Sequence, residues 1–66
     1  MNELDDIAIA SSFLLQAIKR VAESELPSER KLEAIGKVLA HLEDGVSTSA
    51  VIEDGVWLIN LARGGR

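Results

Sequence analysis

Apolar residues recur at helical spacing in three stretches of this chain, separated by turn-forming residues. The first stretch covers residues 3–23, and eleven of the sixteen residues at 7–22 are apolar. On a helical wheel Leu4, Ile7, Phe13, Leu14, Leu15, Ile18 and Val21 spread over about 200°, roughly twice what a helix packed on one side of a small domain requires. Only a narrow polar strip remains, formed by Asp5, Ser12, Gln16, Lys19 and Glu23. Ile9 projects beside that strip and is expected to be exposed unless a partner covers it. Asn2 is the expected N-cap. The acids at 3, 5 and 6 and the bases at 19 and 20 stand at the ends that the helix dipole favours for each sign. Alanines at 8, 10, 17 and 22, with Ser11 and Ser12, allow a second helix to approach closely.

Residues 24–28 interrupt the pattern, and Pro27 suits the start of a new helix. The second stretch, residues 28–44, has an ordinary stripe of Leu32, Ile35, Val38, Leu39 and Leu42. Arg30, Glu33, Lys37 and His41 lie opposite, with Glu33 and Lys37 spaced for an i,i+4 ion pair. Asp44-Gly45 ends the helix, with Gly45 expected at the C′ position. Gly36 sits beside the stripe and is expected to mark a close helix crossing.

The third stretch, residues 47–63, admits two readings. As a helix it has Ser47 or Ser49 as a cap and Gly64-Gly65 as a stop. Its broad apolar face then holds Val51, Ile52, Gly55, Val56, Leu58, Ile59 and Ala62, with Ala50, Trp57 and Leu61 as a second strip bordered by Glu53, Asp54 and Asn60. As strands it is a β-hairpin turning at Asp54-Gly55. The capping serines, the double glycine and the two preceding helices favour the helix, since a lone hairpin would leave bare edges.

A chain of 66 residues is read as one helical domain, and a domain this small buries only about 60% of its unfolded surface. Such domains commonly need a staple. With no cysteine and one histidine, disulfides and thiolate metal sites are excluded and oligomerisation is the remaining staple. No cofactor or metal is expected. The longest apolar runs are four residues, far short of a membrane span, and acids rather than bases follow Met1, so the expected location is cytoplasmic. The net charge of −4 is uneven: residues 1–18 carry three acids and no base, while residues 19–37 carry five bases and four acids. No concentrated basic face emerges, so duplex binding is opposed by simple charge repulsion.

Gly45-Val46-Ser47-Thr48-Ser49-Ala50-Val51 resembles the turn and start of the recognition helix in bacterial helix-turn-helix repressors. That resemblance implies a DNA-binding regulator. The chain departs from the pattern at His41, where the family has a small residue, at Gly55, where it has a large apolar one, and at Glu53 and Asp54, which would face phosphates. His41 reads as a surface histidine beside Lys37 and Asp44, without a nucleophile in a strained glycine-rich elbow. The acid pairs at 5/6, 43/44 and 53/54 are neighbours on a helix and point about 100° apart, so they do not converge on one atom. No enzyme is expected.

The expected architecture is all-α: a long helix, an antiparallel second helix and a short third one, paired into a homodimer. Its expected function is protein–protein interaction through an apolar helical surface, as an inhibitor, adaptor or anti-activator that also binds a larger protein. Ile9, Phe13, Trp57 and Leu61 are the candidate anchors, tryptophan being enriched among such anchors, and Glu53 and Asp54 would set orientation. An alternative is an oligomer that sequesters a small anion such as a nucleotide at Arg20, Arg30 and Lys31, although Glu23, Glu25 and Glu29 interleave with these bases as partners for surface ion pairs.

Overall fold

A computed structural model describes residues 3–64. Three helices fill most of that span: α1 (Glu3–Glu23), α2 (Ser28–Glu43) and α3 (Thr48–Gly64). Their limits differ from the expected ones by at most one residue. Asn2, the expected cap of α1, lies outside the described residues. No strand occurs among them, so the hairpin alternative fails: Asp54 and Gly55 sit inside α3. The deciding interaction is local. The Ser47 hydroxyl accepts the Ala50 N–H at 3.2 Å, and the Ser47 carbonyl accepts the Val51 N–H at 3.0 Å. That is N-cap chemistry, and it satisfies donors that a strand would have left to find partners elsewhere. At 17 residues against 16 for α2, the third helix is not a short one.

Pro27 is the N-cap of α2 rather than its first helical residue, and its carbonyl accepts the Lys31 N–H at 3.1 Å. At the other end the Asp44 N–H bonds the His41 carbonyl at 3.3 Å and the Gly45 N–H bonds that of Leu42 at 3.2 Å, tightening the last turn. Between α1 and α2 the Ser24 hydroxyl donates to the Val21 carbonyl at 2.6 Å, and Leu26 turns into the core. Leu26 was not legible as a core residue, because it falls in the connection and outside any periodic stripe.

The core comprises Ala10, Leu14, Ala17 and Val21 of α1, Leu26 of the connection, Ala34 and Val38 of α2, and Val51 and Leu58 of α3. α1 and α3 form the most intimate pair. Small residues explain it: Ala10, Ala17 and Gly55 let the two backbones approach, and the Phe13 ring lies on Gly55. A Cβ at Gly55 would stand 2.5 Å from Phe13 Cε2. The close crossing is therefore at Gly55. Gly36, which the sequence suggested for that role, is exposed with nothing within 4 Å of where its Cβ would be.

Contacts set the directions. Phe13 meets Gly55, and Arg20 and Glu23 flank the same hollow as Ile59, Ala62 and Arg63, so α1 and α3 run parallel. His41 meets Asp54, Lys37 meets Trp57, and Arg30 and Glu33 border the same hollow as Leu61, so α2 runs antiparallel to both. The Cα extents are 38 × 21 × 13 Å. This is a flattened slab of three helices in which no helix is surrounded.

Candidate interaction surfaces

The wide apolar arc of α1 resolves into two stripes. Ala10, Leu14, Ala17 and Val21 follow 4-3-4 spacing and are buried. Ala8, Ser11, Leu15, Ile18 and Ala22 follow 3-4-3-4 spacing, about 100° around the helix, on the side toward α2. Within this second stripe Ser11 and Ile18 are half-buried, and Leu15 is 66% exposed. On α2 part of the stripe expected in the core turns outward. Ala34 and Val38 are buried, while Leu32 and Leu39 are 72% and 57% exposed. Two small side chains set the α2 contact, and the larger ones rotate to the rim. Leu32, Ile35, Leu39 and Leu42 then continue at 3-4-3 spacing, and Val46, in the connection after α2, is 62% exposed.

The two outward stripes share one side of the slab. The Lys31 ammonium donates to the Ala22 carbonyl at 2.8 Å, which fixes the level of α2 against α1. Antiparallel runs from that point bring Ile18 level with Ile35, Leu15 with Leu39 and Ser11 with Leu42. The α1–α2 side is thus a face on which Leu15, Leu32 and Leu39 are exposed and Ile18, Ile35 and Leu42 are half-buried.

The sequence-predicted anchors are divided among different places. Ile9 is 58% exposed and, with Ile52 and Val56 of α3, lies on the side of the α1–α3 pair that α2 leaves bare. Phe13 is half-buried against Gly55, so it serves the chain's own interior. Leu61 is likewise half-buried against the core. Trp57 is 40% exposed in the α2–α3 groove, not against α1, with the Lys37 ammonium 5.8 Å from its ring centroid. A cation at that distance over an indole face is a cation–π pair. Lys37 has therefore turned to Trp57 rather than to Glu33 one turn away.

Asp54 is also committed within the chain. His41 Nδ1 lies 2.9 and 3.0 Å from its two carboxylate oxygens, an ion pair when the ring is protonated. The hydrogen bond to Asp54, and then its charge, raise the His41 pKa above the usual 6.5. Glu53 is exposed, and its charge acts on His41 in the same direction. Lys37, Val38, Asp54 and Trp57 line a shallow cleft of ≈ 220 Å³. It offers a cation, a carboxylate and an aromatic face, and it lacks a nucleophile.

The three bases of the anion alternative do not converge. Arg20 borders the α1–α3 end, Arg30 lines the α2–α3 groove, and Lys31 caps the C-terminal carbonyls of α1, where the helix dipole favours a cation. No group of three or more histidines and acids suited to a metal occurs among the described residues, and no helix there is long and apolar enough to cross a membrane. The chain matches no protein-family model, no curated protein sequence and no solved structure.

Proposed function

We propose that this chain is a cytoplasmic protein–protein interaction module, of the inhibitor, adaptor or anti-activator type, that acts by presenting apolar helical surface and not by catalysis. One observation carries this reading: Ile9, Leu15, Leu32, Leu39, Val46, Ile52, Val56 and Trp57 are all exposed in a chain of 66 residues whose core is built largely from alanine and valine. Scattered exposed apolar residues are ordinary, but a contiguous set is a mark of association. The contiguous set here is on the α1–α2 side. Binding would come from desolvating these side chains, at about 25 cal/mol per Å² before the entropic cost of association is met.

Phe13, Leu61 and Asp54 weigh less in this reading as partner contacts, since each is engaged inside the chain. Ile9, Trp57 and Glu53 remain available beside the leucines. The DNA reading has little to support it. α2 and α3 lie side by side over three levels of contact, whereas a helix-turn-helix crosses at about 90–120°. The dispersed bases give the anion reading no shared site.

The test is binding by the purified chain immobilised through its C-terminus, against the soluble proteins of its native host. Wild type should retain a defined protein. Leu39→Glu and Trp57→Ala, each at an exposed position and each with helicity preserved by circular dichroism, should separate the faces by which one releases it. A wild-type chain that retains nothing and does not self-associate would sink the proposal.

A further inference from the structure

We infer that α2 is a detachable strap: it lifts off the α1–α3 pair as one unit while that pair stays closed, uncovering the apolar groove between α1 and α3. The strap is a property of the fold and does not depend on what the chain binds. Three observations point to it. The first is how unequally the helices are held. α1 and α3 bury Ala10, Leu14, Ala17 and Val21 against Val51, Gly55 and Leu58, and small residues keep the two backbones close. α2 buries only Ala34 and Val38. Its Ile35 and Leu42 are half-buried, and Leu32 and Leu39 already stand mostly in water. Lifting α2 therefore takes few of its own side chains out of the interior, and it leaves the Phe13–Gly55 crossing shut.

The second observation is the nature of the pins. Lys31 reaches the Ala22 carbonyl at an exposed site, Lys37 lies over a Trp57 that is itself partly in water, and the His41 side chain that meets Asp54 is half exposed. Surface contacts of this kind are weak and are screened by salt. No polar side chain is buried among the described residues, so no buried network fastens α2 to its neighbours. The third observation is where α2 is jointed. Before it, Leu26 is buried and its N–H bonds the Ser24 hydroxyl, which in turn bonds the Val21 carbonyl, so this connection stays with α1. After it, Ser47 belongs to α3, whose first turn it caps. Between these fixed points Pro27 and residues 44–46 are exposed, and nothing lies within 4 Å of where a Cβ on Gly45 would be. Inside α2, Gly36 weakens the helix and receives no packing in return, whereas Gly55 of α3 carries the Phe13 ring. Sparse buried contact, exposed pins and a joint at each end are the features of a segment that opens on its own.

The experiment is native-state hydrogen exchange of the full chain, read amide by amide by NMR in rising urea below the unfolding transition. Interior amides are compared at residues 14–18 of α1, 34–39 of α2 and 55–59 of α3. Those of α2 should be less protected than the other two sets by about tenfold or more. Their dependence on urea should also be shallower, because opening α2 exposes less surface than unfolding the chain. The amides of α1 and α3 should share one protection level and one slope. Gly55→Ala strains only the α1–α3 seam, so it should lower protection at 14–18 and 55–59 while leaving 34–39 unchanged. Should that variant fail to fold by circular dichroism, Phe13→Leu thins the same seam without overfilling it and should act in the same way. A single protection level and slope across all three helices overturns the inference. So does an α1 or α3 interior that exchanges faster than α2, or a seam variant that lowers all three sets by the same factor.

Discussion

α1 has two seams, and they are made differently. Against α3 it offers Ala10, Leu14, Ala17 and Val21, and it receives Val51, Gly55 and Leu58, all of them buried. Toward α2 its Leu15 stands mostly in water, as do Leu32 and Leu39 opposite. Hydrophobicity does not separate the two sets, because the exposed side chains are on the whole the larger and more apolar ones. Size does. The inner seam is held close by alanine and glycine, and a close seam has no room for more leucines. Burying an alanine removes little area from water, so this interior contributes modestly, and the side chains with most to gain are left outside. A self-sufficient domain would be expected to sort them the other way round.

The strongest way to break this comparison is to truncate one leucine from each side. Leu58 is fully buried between the helices, and Leu58→Ala should cost about 2–5 kcal/mol of unfolding free energy in urea titration. Leu32→Ala should change the stability of the single chain by no more than about 0.5 kcal/mol. Any larger loss at Leu32 should grow with protein concentration, since it would then report association rather than folding. Equal and concentration-independent losses at the two sites would erase the distinction between the seams.

The glycines sharpen it further. Gly55→Ala drives a methyl group into the Phe13 ring, and the parallel pair must open to admit it; about 1–3 kcal/mol should be lost. Gly36→Ala places the same methyl in open space within a helix and should stabilise α2 by up to about 1 kcal/mol. Thermal melts of the two variants should therefore move in opposite directions.

Much of the architecture was legible in the sequence because it is written locally. Pro27 and Ser47 start their helices through bonds to residues three or four positions on, and the helical period of the third stretch is continuous through Asp54-Gly55. What stayed hidden depends on which helix faces which. A wheel shows that α1 is too apolar for one seam, but not that its arc divides into an alanine-rich stripe for α3 and a leucine-bearing stripe for the outside. It marks both Gly36 and Gly55 as small, but only the packing of Phe13 tells them apart. The stripe expected on α2 includes Val38, which is buried, and Leu42, which packs against the core, but it misses Ala34 and it includes Leu32 and Leu39, which the fold leaves exposed. Asp54 read as an exposed orienting charge because its partner, His41, is thirteen residues away on another helix.

Ser47 provides a smaller test, confined to the start of α3. Ser47→Ala removes the acceptor for the Ala50 N–H and should cost about 1 kcal/mol, whereas Ser49→Ala, at the other candidate cap, should be close to neutral. Equal losses would mean that the cap is shared.

The smallest expected effect concerns the third seam, where α2 is pinned to α3 by His41 and Asp54. The His41 pKa is raised above its ordinary 6.5 by the carboxylate it bonds, so the folded chain holds this proton more tightly than the unfolded one. The stabilisation is fully present below the unfolded value and is lost as pH rises through the higher folded value. Because the pair is solvent-exposed, the effect belongs to the weak class of surface ion pairs and should fade with added salt. Comparing urea midpoints of wild type and His41→Gln should show the gap between them present below pH 6.5 and closing as the pH rises through the raised folded value. An NMR titration of the His41 ring should place its midpoint above 6.5, and addition of Asp54→Asn should bring it back toward that value. A ring that titrates at or below 6.5 in the wild-type chain would mean that the α2–α3 seam is held by Trp57 and Lys37 without help from this pair.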